Sequence, residues 1–389
     1  MRSAERIWKK QNEALRNPLQ VISSSIADSG ITADSLTNIP DTGFVHLLRR
    51  LGITLLITRE YENMAVALYS GSKGISQTFM PLPHPSGIAV DRKKNAVYIA
   101  ATRNPNQLIE FCPSITTIPR KEIKTKSLQT GYLLPSRIKF YPGCYYFHDL
   151  AIIGKDLYAN SVGMNGVIKV DWARSSEEDL TWFPNCTKDK KGNPLTDANY
   201  IQLNSIAAGK SINSSFFTAS GSKIIKQRPG QADYPVDKKG VIFSGRTGEP
   251  IVKGLTRPHS AKLYKGKIYV NNSGYGEFGL IEDGKFKTLV TLPGWTRGLC
   301  IYKDIAFIGV SRVLPKFRQY APGISNTKQV CSIFAFSLTE KKICGKIEWP
   351  FGNQVFGIDY IDNSVSKGFY YETTAPVNEI ETTIFYTSK

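Results

Sequence analysis

In residues 258–272, PHSAKLYKGKIYVNN, apolar and polar positions alternate on both sides of a Lys-Gly-Lys turn. A period of two is that of a half-buried strand, so the stretch predicts a β-hairpin. The pattern of a small residue followed by an alternating strand recurs. It reads PSGIAV (85–90), FHDLAI (147–152), LNSIAA (203–208), PHSAKL (258–263), TRGLCI (296–301) and VFGIDY (355–360). Each copy runs into a turn signal, and after five of the six comes a second strand: AVYIAA, DLYANS, SFFTAS, KIYVNN and DIAFIGV. Counted on the small residue (Gly87, Asp149, Ser205, Ser260, Gly298, Gly357), the intervals are 62, 56, 55, 38 and 59 residues. Units of about 40 to 50 residues with several short strands are the mark of propeller blades.

Before the first copy, TLLITRE, MAVALYS and SQTFMPL supply three further strands. Paired with the C-terminal strand around VFGIDYI they would make a sixth blade and close the ring, which removes exposed sheet edges. The expectation is therefore all-β: a six-bladed β-propeller over residues 41–389, preceded by a short N-terminal helical extension over 1–40. Seven blades follow instead if 366–389 (FYYETT, TTIFYT) builds its own sheet. The excess length of the repeat falls near 113–143, 174–200 and 312–330, which read as long loops on the scaffold. Residues 3–16 have the spacing of an amphipathic helix that packs on the propeller or touches a membrane surface. GFVHLLRRLG (43–52) predicts a second short helix.

Composition agrees with strands and tight turns: 19 Tyr, 19 Phe, 32 Gly and 21 Pro in 389 residues. The net charge of +18 favours anionic partners in general, but no basic run is long enough for a nucleic-acid arm. None of the six cysteines forms a C-x-x-C pair, which excludes a zinc knuckle and a thioredoxin-like motif. The polar N-terminus lacks the apolar core of a signal peptide, and no stretch reaches membrane-spanning length. A cytoplasmic protein with reduced thiols is the simpler reading. Phosphate-binding glycine loops and a nucleophile elbow are absent.

In a propeller the first strand of every blade lines the central channel, and its first residues stand at one rim. The residue before each small position should then face a common mouth: Ser86, His148, Asn204, His259, Arg297 and Phe356. Ends of second strands return to the same rim and add Arg103, Asn104, Asn160, Ser161, Ser220, Asn272, Ser273, Tyr275, Ser311 and Arg312, with Glu277 close behind. Polar residues at blade junctions often only satisfy strand ends. Two of four histidines at equivalent repeat positions, however, favour function for His148 and His259. His46 and His84 stay unassigned.

PHSAKLYKGKIYVNNSGYGEFG and LPGWTRGLCIYKDIAFIGVS resemble the signature region of a family of bacterial conserved hypothetical proteins. Its R-P-H-S, N-S-G and G-x-x-R-G succession is met here by Arg257 to Ser260, Asn272 to Gly274, and Gly294 to Gly298 with Trp295. The resemblance extends to TLLIT (54–58), to Tyr146–Ala151 and to Leu203–Ala207. Asp149 stands where the family has glutamate, and Ser205 where it has glycine. A propeller-like fold and a shared site are what the resemblance implies; it implies no reaction.

Two functions compete. In the first, the chain is an enzyme for a small or sugar-like anionic substrate, of lyase, epimerase or hydrolase type. His148 and His259 face each other across the mouth as general base and general acid. Arg297, with Arg103 or Arg312, holds the anion, and Asn204, Asn272, Ser273, Tyr275 and Glu277 contribute to substrate binding. The cofactor is unknown. A metal variant has His148, His259, Asn204 and Glu277 around a divalent ion, which Arg297 would oppose. In the second, the propeller is a non-catalytic binding module whose basic loops take an acidic protein, polysaccharide or glycan.

Overall fold

The computed structural model describes residues 33–103, 106–114, 117–118, 131–141, 143–174, 178–231, 233–325, 329–373 and 387–388. The expected helix at 3–16, and Asn104, lie outside them.

Six antiparallel sheets of four principal strands stand around one axis. Their inner strands are Pro85–Asp91, Phe147–Ile153, Leu203–Ala207, Pro258–Tyr264, Trp295–Tyr302 and Gly357–Asp362, numbered here as blades one to six. Blade six joins the chain ends. Gly357–Asp362 pairs with Ile53–Arg59, followed outward by Met64–Gly71 and Gly74–Pro81. The sixth copy of the repeat lacks a following second strand because Ile53–Arg59 takes that place.

The C-terminal segment does not make a seventh blade. Gly368–Phe369 runs parallel to Tyr132–Leu133 on the edge of blade one, and Tyr371–Glu372 pairs with Thr78–Phe79 on the edge of blade six. Both outer edges flanking the closure are thereby partly covered, as unpaired strands invite association.

The helix Thr42–Leu51 starts at Asp41, whose carboxylate accepts the Phe44 N–H, and stops at left-handed Gly52. Phe44, Leu47, Leu48 and Leu51 bury one face against Trp349, Ile347 and Leu55, at the seam of blades five and six. Elsewhere the core is split into apolar clusters between neighbouring blades. No helix among the described residues is long and apolar enough to cross a membrane.

Why the repeat keeps a small residue is visible where blades meet. A side chain on Gly87 would lie 2.6 Å from the Asp149 backbone of the next blade, and one on Gly357 would lie 3.0 Å from the Ser86 carbonyl. On the three blades where the position is polar, the side chain reaches across. Asp149 accepts the Ile206 N–H (2.8 Å), Ser205 that of Ala261 (3.0 Å) and Ser260 that of Gly298 (2.9 Å). These bonds satisfy amides on the free edge of each innermost strand, which has no further strand to pair with.

Candidate functional site

Five inner strands slip register at the same place: between Pro85 and Ile88, Phe147 and Leu150, Leu203 and Ser205, His259 and Lys262, and Thr296 and Leu299. A β-bulge inserts an extra residue and re-aims the side chain it carries. The residues at these bulges are the ones expected at the mouth. His148, Asn204, His259 and Arg297, with Phe356 from blade six, line one narrow cavity of about 10 Å³ on the axis. Ser86 is the exception, since its hydroxyl donates to the Phe147 and Ala100 carbonyls in the wall.

The two imidazoles are nearly parallel, at 24°, with centroids 6.2 Å apart. A flat substrate between them would need about 7 Å, two van der Waals contacts of roughly 3.5 Å. No flat group therefore fits between them, and both line the same cavity. Phe356 meets His148 edge-on at 5.5 Å and carries the Arg297 guanidinium 3.4 Å above its ring.

His259 is 2% exposed, Arg297 4% and Arg257 6%; His148 is half-buried. Burial, then Arg297 and Arg257, hold the pKa of both histidines well below the usual value near 6.5, so both are neutral at pH 7. Burial also pushes Arg297 down to about 10 against the opposing pull of Glu60. It remains charged. The ion pairs nearby join Arg59 to Glu62 and Arg103 to Glu60. Arg257 and Arg297 form none among the described residues, and the Nε of each is buried without a partner. Their neighbours are aromatic faces: Tyr320 and Trp295 for Arg257, Phe356 and Trp295 for Arg297.

Three further polar atoms in this cavity are buried and unpartnered: His148 Nδ1, His259 Nε2 and Asn204 Oδ1. The Asn204 amide nitrogen is spent on Ser220 and the Pro258 carbonyl, which leaves its oxygen as a free acceptor. Buried polar groups are nearly always satisfied, so such a concentration of orphans is unusual.

The remaining expected residues have other partners. Asn272 accepts the Thr256 N–H and donates to Glu277, whose second oxygen takes the Thr288 hydroxyl. Glu277 is thus engaged on the third strand of blade four, away from the imidazoles. Ser273 donates to the Thr296 carbonyl of the next blade. Arg312 donates to the Pro350 carbonyl at the junction of blades five and six. Arg103 stays at the rim, half-exposed. The metal alternative loses its carboxylate, and among the described residues no three His, Cys, Asp or Glu side chains converge.

Tyr275 has a different duty. Its hydroxyl donates to Asp237 and its ring lies under Gly323. These belong to two insertions, around 221–239 and 312–325, that meet above the mouth. The Gly230 N–H donates to the Tyr320 hydroxyl, and Gln319 donates to the Gln231 carbonyl. Tyr234, Val236, Trp295 and Tyr320 form a small apolar cluster there. Phe317 stacks on Tyr61 with centroids 6.1 Å apart. The two insertions thus join each other beside Arg257, whose guanidinium lies over the Tyr320 ring.

Sequence reasoning missed Arg257, Glu60 and Tyr61. Arg257 lay inside the quoted R-P-H-S run. Glu60 and Tyr61 end the second strand of blade six, the position inspected on the other blades. The 221–239 insertion carried no strong length signal of its own.

The chain belongs to the family described as a domain of unknown function, DUF4915, whose profile matches residues 42–367. No curated protein matches it in sequence. Among solved structures, a chain of a nidogen/laminin complex superposes with a TM-score of 0.52 at 9% identity, over 80% of this chain and 99% of that one. That likeness is one of fold. A gluconolactonase from Xanthomonas campestris gives 0.42 at 13% identity, over 69% and 77%. Virginiamycin B lyase from Staphylococcus aureus gives 0.38 at 12%, over 80% and 97%. At those scores neither bears on the reaction.

Proposed function

We propose that this member of a family of unknown function is an enzyme for a small, sugar-like anionic substrate. Arg297 and Arg257 hold the anion, and His148 and His259 move protons. The observation that carries this reading is the pair of buried guanidiniums that form no ion pair among the described residues. An unpaired buried cation is costly, and a bound anion is the economical way to offset it.

The same anion would switch on the base. The arginines depress both imidazoles; a ligand charge that neutralises them lifts the affinity of the imidazoles for a proton toward neutral pH. The histidine that takes the proton becomes an acid for the next step, so one neutral pair can serve in turn as base and acid. Abstraction from carbon leads to lyase or epimerase chemistry, and abstraction from water to hydrolysis. The Asn204 oxygen is an acceptor for a substrate hydroxyl.

The test uses sugar acids and sugar phosphates as a thermal-shift panel, followed by turnover assays on those that bind. Arg297→Met should abolish the anion-induced shift without destabilising the ligand-free protein, because it removes a buried charge that has no ion pair. His148→Gln and His259→Gln should still bind and lose turnover by about 100-fold or more. Binding retained by Arg297→Met would remove the anion site. Binding without turnover in the native chain would make the propeller a binding module.

A further inference from the structure

The channel has a second end. The first-to-second-strand turns of the blades surround an open pocket of about 220 Å³ there. Its width follows from one repeat position. Ala89, Ala151, Lys262, Cys300 and Asp359 occupy equivalent places on five inner strands and line it. Two alanines and a cysteine leave space where larger residues would plug the axis. The wall is completed mostly by aliphatic side chains, among them Val90, Leu150, Ile206 and Ile301.

Three charged side chains reach this pocket. Arg92 and Asp359 cancel: they form a 2.5 Å ion pair, the carboxylate also accepts the Val90 N–H, and Tyr360 stacks under the guanidinium. Lys262 is different. It is half-buried, stands between the two cavities of the channel and lines both, and has no ion pair or hydrogen bond among the described residues. Asp149 lines the mouth cavity with it and feels its charge without bonding it. A cation with no direct partner beside aliphatic side chains favours one negative charge attached to an apolar body. The surrounding turns add exposed Lys93, Lys155, Lys210 and Lys303, which raise the local concentration of anions.

We infer that this end of the channel is a separate binding site for an amphipathic monocarboxylate, held by Lys262 with its chain against the aliphatic wall. It is independent of the reading given to the mouth, whose arginines and histidines do not line it.

Octanoate is the probe and octanol its uncharged control, titrated calorimetrically into the full chain at low salt. Octanoate should bind about tenfold more tightly than octanol, the worth of one charge-assisted contact. Lys262→Met should erase that difference, Lys262→Arg should retain it, and Arg297→Met should leave it untouched. In the native protein, nuclear Overhauser contacts from the octanoate methylenes should fall on the methyls of Ile206 and Ile301, a readout that needs no variant to fold. Equal affinity for octanoate and octanol would overturn the inference. So would a preference that survives Lys262→Met or vanishes in Arg297→Met, or contacts confined to other methyls.

Discussion

At the scale of single residues, the chemistry of the mouth is a matter of what surrounds each group. An imidazole in water titrates near 6.5; His148 and His259, packed in and facing Arg297 and Arg257, stay neutral well below that. The sign of the linked effect follows. In the unfolded chain the histidines protonate near 6.5, in the folded one only at lower pH, so the unfolded state binds more protons in between. Their contribution to stability is complete above about pH 6.5 and is lost as pH falls below it toward the folded value. Urea unfolding at pH 7.5 and 5.5 should show a larger loss for the native chain than for a His148→Gln/His259→Gln variant. Equal losses would mean that the imidazoles are ordinary.

At the scale of elements, the small position of the repeat and the bulge before it do two jobs at once. The bulge turns one side chain to the axis, and the next residue must let the neighbouring strand approach. Gly87→Ala puts a methyl group 2.6 Å from the Asp149 backbone, atoms that cannot swing aside. It should cost about 1–3 kcal/mol, as overpacking does. Ser205→Ala leaves space but orphans the Ala261 N–H, for a penalty of about 1–3 kcal/mol by a different route. Combining them should be nearly additive, because they lie at different blade junctions. Denaturant midpoints of the two single variants and the double variant check this.

At the scale of the whole molecule, the ring holds because its ends pair. Gly357–Asp362 makes six residue pairs with Ile53–Arg59, and Ile358 and Ile361 each bury into the clusters flanking blade six. Ile358→Asp places a carboxylate in that seam at a cost of several kcal/mol. The expected outcome is a broadened, lower-midpoint unfolding transition with self-association on a sizing column, as freed strand edges find each other. A sharp transition in a monomer would show that closure carries little of the stability. The joining of the two insertions belongs to the same scale. Segments far apart in sequence meet through Tyr320 and Gly230, with Tyr275 bracing both from below.

Much of this was already legible along the chain. Alternation with period two is a local property, and the spacing of six copies, with three strands before the first, pointed to six blades closed by pairing of the ends. A seventh stayed open until the C-terminal segment was seen on the edges of blades one and six. The mouth positions could be named because every inner strand enters the channel in the same phase. What the folded molecule alone decided concerns groups whose state sums over distant neighbours. Asn272, Ser273 and Glu277 share the polarity of Asn204, yet they bond strand ends and each other while the Asn204 oxygen is left free. The nearly parallel histidines, their neutrality, the two unpaired arginines and the joined insertions all depend on packing between blades. Burial and Coulomb interactions act through space, and no window of sequence contains the partners that set them.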